Sequence, residues 1–151
     1  MISIRPVRCE DFAVICEHRR LMFAEMGTEA ATLDAASEAY AEWLAPRLTD
    51  GRYFGFLADE GAVIAGVGLT LMDFPPGPLH PKGDQRALVL DVYVQPAYRG
   101  RGVAMELLKR AETELRERGV VYAVLHASKM GRPLYEKLGW GATTEMGKAL
   151  G

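Results

Sequence analysis

Two arginines and two glycines alternate at Arg99-Gly100-Arg101-Gly102, between a β-branched run and a long amphipathic stretch. Those types at that junction can hold an anion. A helix N-terminus presents unpaired backbone N–H groups and about half a positive charge. A phosphate fits there only where no side chain blocks its approach, and glycine removes the block. The arginines add charge. The segment therefore reads as a candidate pyrophosphate cradle. It is not a dinucleotide fingerprint, because the third glycine position holds Met105. It is not a P-loop either, because no G-K-[ST] is present. Taken alone, the motif also fits a tight turn with solvent-facing arginines.

The elements that must position this cradle follow from periodicity. Residues 2–6 make a short strand stopped by Pro6. Phe12, Ile15, Cys16, Met22, Phe23 and Met26 fit helical spacing, with Gly27 ending the helix. Leu33, Ala36, Tyr40, Leu44 and Leu48 mark a second helix over residues 29–48. Residues 52–58 and 62–72 are β-rich and joined by a hairpin signal. Residues 73–85 are proline-rich and read as a loop. Residues 86–94 form a nearly continuous apolar strand, which places it centrally. Ala104, Leu107, Leu108, Ala111 and Leu115 stripe a third helix over residues 102–118. Glu106–Arg110, Glu112–Arg116 and Glu114–Arg118 are spaced as exposed pairs on it. A buried strand over residues 120–127, a short helix opening at Pro133 and a last strand over residues 140–146 complete the order β-α-α-β-β-β-α-β-α-β. That is an α/β (α+β) domain with a mixed sheet.

The totals fit one domain, residues 1–151. The chain is 49% hydrophobic, enough for one core. A net charge of −2 gives no argument for nucleic acid or an anionic membrane. Cys9 and Cys16 stand apart from any clustered histidine, so neither a disulfide scaffold nor a metal site is expected, and reduced thiols in a cytoplasm are the simpler reading. No run of about 18 apolar residues predicts a membrane span. The N-terminus lacks a signal peptide's apolar region.

Residues 92–108 resemble the acetyl-CoA-binding motif [QR]-x-x-G-x-[GA] of the GNAT superfamily of N-acetyltransferases, complete here as Arg99-Gly100-Arg101-Gly102-Val103-Ala104. Residues 134–140, LYEKLGW, resemble the family's second hallmark, L-Y-x-x-x-G-[FW], and residues 125–128 precede it at the usual interval. The element order agrees with the family fold, a mixed, mostly antiparallel central sheet flanked by helices. The resemblance spans essentially the whole chain.

It implies transfer of an acetyl group from acetyl-CoA, with no metal, to a primary amine of a small molecule or peptide by direct attack in a ternary complex. The strand before the motif would splay from its neighbour, and Val92, Tyr93 and Val94 would contact the pantetheine arm through their backbone. The amides of Arg99, Gly100, Arg101, Gly102, Val103 and Ala104 would hold the pyrophosphate, with Ser128 near the donor. Tyr135 would protonate the departing thiolate, and a strand N–H, at Val92, would face the oxyanion. The family's usual strand glutamate is missing. Asp91 and His126 are the candidates for base or water-holder, and loss of the amine proton to solvent is a third route. Strand alternation puts Asp91 and Tyr93 on one face, Val92 and Val94 on the other.

Residues 21–46 contain no lysine or arginine but hold Glu25, Glu29, Asp34, Glu38 and Glu42. If the junction of the first two helices walls the acceptor pocket, as the resemblance implies, Glu25 and Glu29 would attract a cationic amine. A solvated acidic face is the competing reading. Tyr40 and Trp43 suit core or pocket lining, and Phe74 and His80 a lid. A non-catalytic acyl-CoA-binding sensor or regulatory module is the rival function. A homodimer is left open.

Overall fold

The computed structural model describes residues 1–151. The elements are β1 (Ser3–Pro6), α1 (Phe12–Glu25), α2 (Ala30–Asp50), β2 (Tyr53–Asp59), β3 (Val63–Asp73), β4 (Gln85–Val94), α3 (Val103–Glu117), β5 (Ala123–Leu125) and α4 (Arg132–Lys137). The strands form one sheet in the order β1-β2-β3-β4-β5. Its pairs are antiparallel except β4 and β5, which run parallel. A parallel pair needs a crossover, and α3 supplies it.

The two sheet faces bury different partners. Val103, Leu107, Leu108, Ala111 and Leu115 of α3 pack with Phe56, Val67, Leu69, Ala87 and Val89. On the other face, Ile15 of α1 and Tyr40, Leu44 and Leu48 of α2 pack with Tyr53. β4 lies between β3 and β5, the central position its apolar run predicts. On α3, Glu112–Arg116 and Glu114–Arg118 pair as spaced, while Glu106 pairs with Lys109 and the Arg110 guanidinium lies over the Phe56 ring.

Two expectations are corrected. The last strand does not form: residues 140–151 hold no regular structure, so the order ends at α4. A strand exists only where a ladder accepts it, and none reaches this segment. The Arg86–Glu145 ion pair and the bond from the Trp140 indole N–H to Glu112 tie it down instead. The strand expected over residues 120–127 shrinks to Ala123–Leu125, half-exposed at the sheet edge rather than buried. Phe74 and His80, the candidate lid of the acceptor pocket, lie on the loop between β3 and β4. Their loop joins the start of β4, and the cradle follows its end, about 30 Å away along a ten-residue strand. His80 is buried against Phe74 and Tyr122. Tyr40 and Trp43 stack on each other, with Tyr40 in the core.

β3 leaves room for one side chain to cross it. A Cβ on Gly68 would stand 2.1 Å from the Tyr53 hydroxyl oxygen. The missing side chain lets Tyr53 run across β3 toward β4. Gly68→Ala should therefore destabilise the fold by about 1–3 kcal/mol, because a buried ring has nowhere to go. Urea unfolding reads this directly, and an unchanged midpoint would mean that the Tyr53 ring is free to move aside.

Candidate active site

β4 loses its partners on both sides at one place. Its parallel ladder with β5 ends at Val89↔Leu125, and β4 continues to Val94 with no strand on that side. Toward β3, the register jumps from Gly68↔Leu90 to Gly66↔Tyr93, so Val67 alone faces both Asp91 and Val92. This is a β-bulge. Asp91 carries it with φ +56°, the one non-glycine residue at positive φ.

The bulge resets which way side chains point. Val89 packs with the α3 core, and so do Val92 and Val94. Leu90 packs with the α1–α2 cluster, while Asp91 meets Arg19, Tyr40 and Tyr53, and the Tyr93 ring meets His18. Asp91 and Tyr93 thus share one face and Val92 and Val94 the other, as alternation predicts. Val89 would have shared a face with Asp91 had the strand been regular.

The expected cradle sits just past the end of β4. A short 3₁₀ turn at Pro96–Tyr98 leads to Arg99. Gly100 and Gly102 have φ of +78° and +77°, which only glycine adopts freely. A Cβ on either would meet nothing within 4 Å, so the protein leaves open space where a ligand would approach. Gly102 caps the N-terminus of α3, and buried Val103 anchors the first turn, with Ala104 half-buried beside it. Arg101 is exposed, its guanidinium 5.3 Å from the Tyr98 ring centroid. Arg99 donates through Nε to the Val94 carbonyl at 2.8 Å and through Nη2 to both Glu25 oxygens at 3.0 and 2.9 Å.

Tyr135 lies on α4, half-buried beside Leu125 along one groove. Burial alone pushes its phenol above the ordinary value of 10.0, so it holds its proton at neutral pH. Gly131 gives the ring room: a Cβ there would come 3.1 Å from Cε2 of Tyr135. The Ser128 hydroxyl accepts the Gly131 N–H at 3.1 Å and so shapes the turn into α4. His126 is exposed just beyond the end of β5. Asp91 is not free: Arg19 Nη1 donates to Oδ1 at 2.7 Å, the Tyr53 hydroxyl to Oδ2 at 2.8 Å, and the Tyr40 hydroxyl also to Oδ2.

The acidic wall is less uniform than its own span suggests, because arginines from outside that span reach into it. Arg99 neutralises Glu25, whose carboxylate also accepts the Tyr93 hydroxyl at 3.1 Å. Arg20 pairs with Asp34 at 2.6 Å. Glu29, exposed before α2, accepts the Thr32 hydroxyl at 3.0 Å, and Glu38 and Glu42 are exposed on α2.

The sequence reading missed Arg19, Tyr53 and His18. One signal pointed to them: an aspartate inside an apolar central strand needs buried donors. A cavity of about 890 Å³ lies between α3, β5, α4 and residues 138–145. Tyr135 lines it, but no residue of 91–104 does. No three His, Cys, Asp or Glu side chains gather as a metal site, and no helix is long and apolar enough to cross a membrane.

Residues 11–140 match the model of the acetyltransferase (GNAT) family. No curated protein matches the chain. Among solved structures, a GCN5-related N-acetyltransferase from Ralstonia eutropha JMP134 is 46% identical over 99% of both chains, with a TM-score of 0.97. A predicted acetyltransferase from Clostridium acetobutylicum, with acetyl-CoA, is 26% identical over 99% of this chain and 96% of its own, with a TM-score of 0.90. A Trypanosoma brucei acetyltransferase at 19% identity over 99% of both chains and a TM-score of 0.71 shares the fold. The glycine-opened helix start, the strand that parts from its neighbour and these matches agree, and the chain belongs to the GNAT acetyltransferase family, whose members are acyltransferases that use acetyl-CoA.

Proposed function

We propose that this protein moves the acetyl group of acetyl-CoA directly to a primary amine in a ternary complex. The observation that carries the reading is a junction: the end of β4, with no strand on its β5 side, leads through one short turn to a helix start cleared by two positive-φ glycines. Acetyl-CoA supplies a thioester carbonyl for attack and a thiolate as leaving group. The backbone of Val92, Tyr93 and Val94 binds the pantetheine arm as an added strand. The free N–H groups at the start of α3 take the pyrophosphate, helped by the exposed charge of Arg101.

The reaction forms a C–N bond and breaks a C–S bond. The Val92 N–H stabilises charge on the carbonyl oxygen, as a preorganised donor does best in a dry site. Tyr135 gives its proton to the sulfur. His126 takes the amine proton, directly or through water. Asp91 is a poor base here, since three donors hold its carboxylate and one of them is a guanidinium.

The acceptor is a cationic amine, small or peptidic. Glu29 is the acidic side chain near the helix junction without an arginine partner. Glu25 is shared between that wall and the cradle through Arg99.

Three outcomes test this. Gly102→Asp and Gly102→Asn both tolerate a left-handed backbone, yet only the aspartate repels phosphate. Acetyl-CoA should bind the asparagine variant at least tenfold more tightly by calorimetry, and equal affinities would remove the cradle. Tyr135→Phe should lower kcat about tenfold with the acetyl-CoA dissociation constant within a few-fold. Because the phenol is raised, wild-type kcat should not fall on the alkaline side until beyond about pH 10. Wild-type turnover in the Phe variant would take Tyr135 out of the mechanism. Glu29→Lys should raise KM for a polyamine several-fold, less so at high salt, and spare acetyl-CoA binding; flat kinetics would favour a solvated face.

A further inference from the structure

Asp91 combines three unusual features. It is a non-glycine residue at positive φ, its carboxylate is 4% exposed, and its partners come from three different elements. Arg19 belongs to α1, Tyr40 to α2 and Tyr53 to β2. Positive φ strains a residue with a Cβ, though aspartate bears it better than most. Strain of this kind persists where the surroundings over-determine it. Here they do, because two phenols and a guanidinium converge on one carboxylate in a buried place. Gly68 belongs to the same device, since only its missing side chain lets the Tyr53 hydroxyl reach Asp91.

Without the bulge, residue 91 would follow Val89 onto the α3 face and enter an apolar core. An ionised carboxylate there would have no partner. The clamp and the bulge therefore require each other. We propose that Asp91 is a positioning residue: the Arg19–Tyr40–Tyr53 clamp on its carboxylate holds residue 91 left-handed, and this sets the direction of the Val92 N–H at the acyl group. The second half rests on the reading of Val92 given above. The clamp also ties α1 and α2 to the donor-binding strand.

The groups facing Asp91 keep the clamp constant across working pH. Burial and the Asp91 charge push both the Tyr40 and Tyr53 phenols up, so they remain donors. Burial pushes the nearby His18 imidazole down and the Cys16 thiol up, so both stay neutral. A general base at residue 91 would instead leave its titration in the rate.

The test uses Tyr53→Phe, Arg19→Gln and Asp91→Asn, each checked for folding by near-UV circular dichroism. Two readings are taken: the amide-to-Hα coupling of residue 91 by NMR, which reports its φ, and kcat with a polyamine acceptor over a range of pH. The Tyr53→Phe and Arg19→Gln variants should lose the left-handed coupling and lower kcat about 10- to 100-fold, with KM for acetyl-CoA within a few-fold. Asp91→Asn, which keeps the shape and one acceptor, should fall less and leave the pH profile in place. Retention of positive φ in both donor variants would overturn the clamp. Loss of an acidic limb in Asp91→Asn would overturn positioning in favour of a base. Loss of positive φ with unchanged kcat would uphold the clamp and overturn the role of Val92. If Asp91→Asn does not fold, the two donor variants still decide.

Discussion

A strand inside a sheet has backbone hydrogen-bonding obligations on both sides, and within a few residues β4 loses its β5 partner and slips its register with β3. The ladder to β5 stops at Val89, and the ladder to β3 skips at Val67. Buried backbone groups left without partners are costly, so something must compensate. On the β3 side the bulge is held locally by one aspartate, three donors and Gly68, which clears the way for Tyr53. On the β5 side no strand continues past Val89, and the Arg99 guanidinium donates to the Val94 carbonyl. The surrounding architecture makes sense from that point. α3 begins at Val103, one short turn and the Arg99–Gly102 segment after β4 ends at Val94. α1 and α2 are tied to β4 by Arg19 and Tyr40.

The arginines divide the electrostatics. Arg20 and Arg99 lie outside the acidic span of residues 21–46 and pair with carboxylates in it, while Arg19 pairs with Asp91 on β4. Arg19 serves the buried carboxylate, Arg20 a surface pair of little worth. Arg99 bridges Glu25 and the Val94 carbonyl, linking the end of α1 to the end of β4. A phosphate on the proposed cradle would compete for that guanidinium.

Much of this was legible in the chain. The helix stripes on α2 and α3 gave the faces they bury, because burial at every third or fourth residue leaves a plain pattern. Gly100 and Gly102 marked the left-handed turn into α3, because positive φ calls for glycine. The bulge was not legible. Asp91 within an apolar run fits simple alternation, and a single inserted residue leaves no periodic trace. Nor were the partners of Glu25 and Asp34, since contacts between residues 74 and 14 apart in the chain do not show as spacing. The last strand was expected from β-prone residues after α4, but a strand needs an edge to join, and composition does not report one. The length of β5 failed for the same reason.

The central claim is that the donor lies along residues 92–94 and 99–104, on the open side of β4. A ¹⁵N spectrum of the whole protein titrated with acetyl-CoA addresses it most directly. The account predicts that the amides of Val92, Tyr93, Val94 and residues 99–104 move furthest and saturate together, while those lining the 890 Å³ cavity beyond β5 move little. Largest shifts around that cavity or in the loop of residues 74–84, with the start of α3 unmoved, would contradict it.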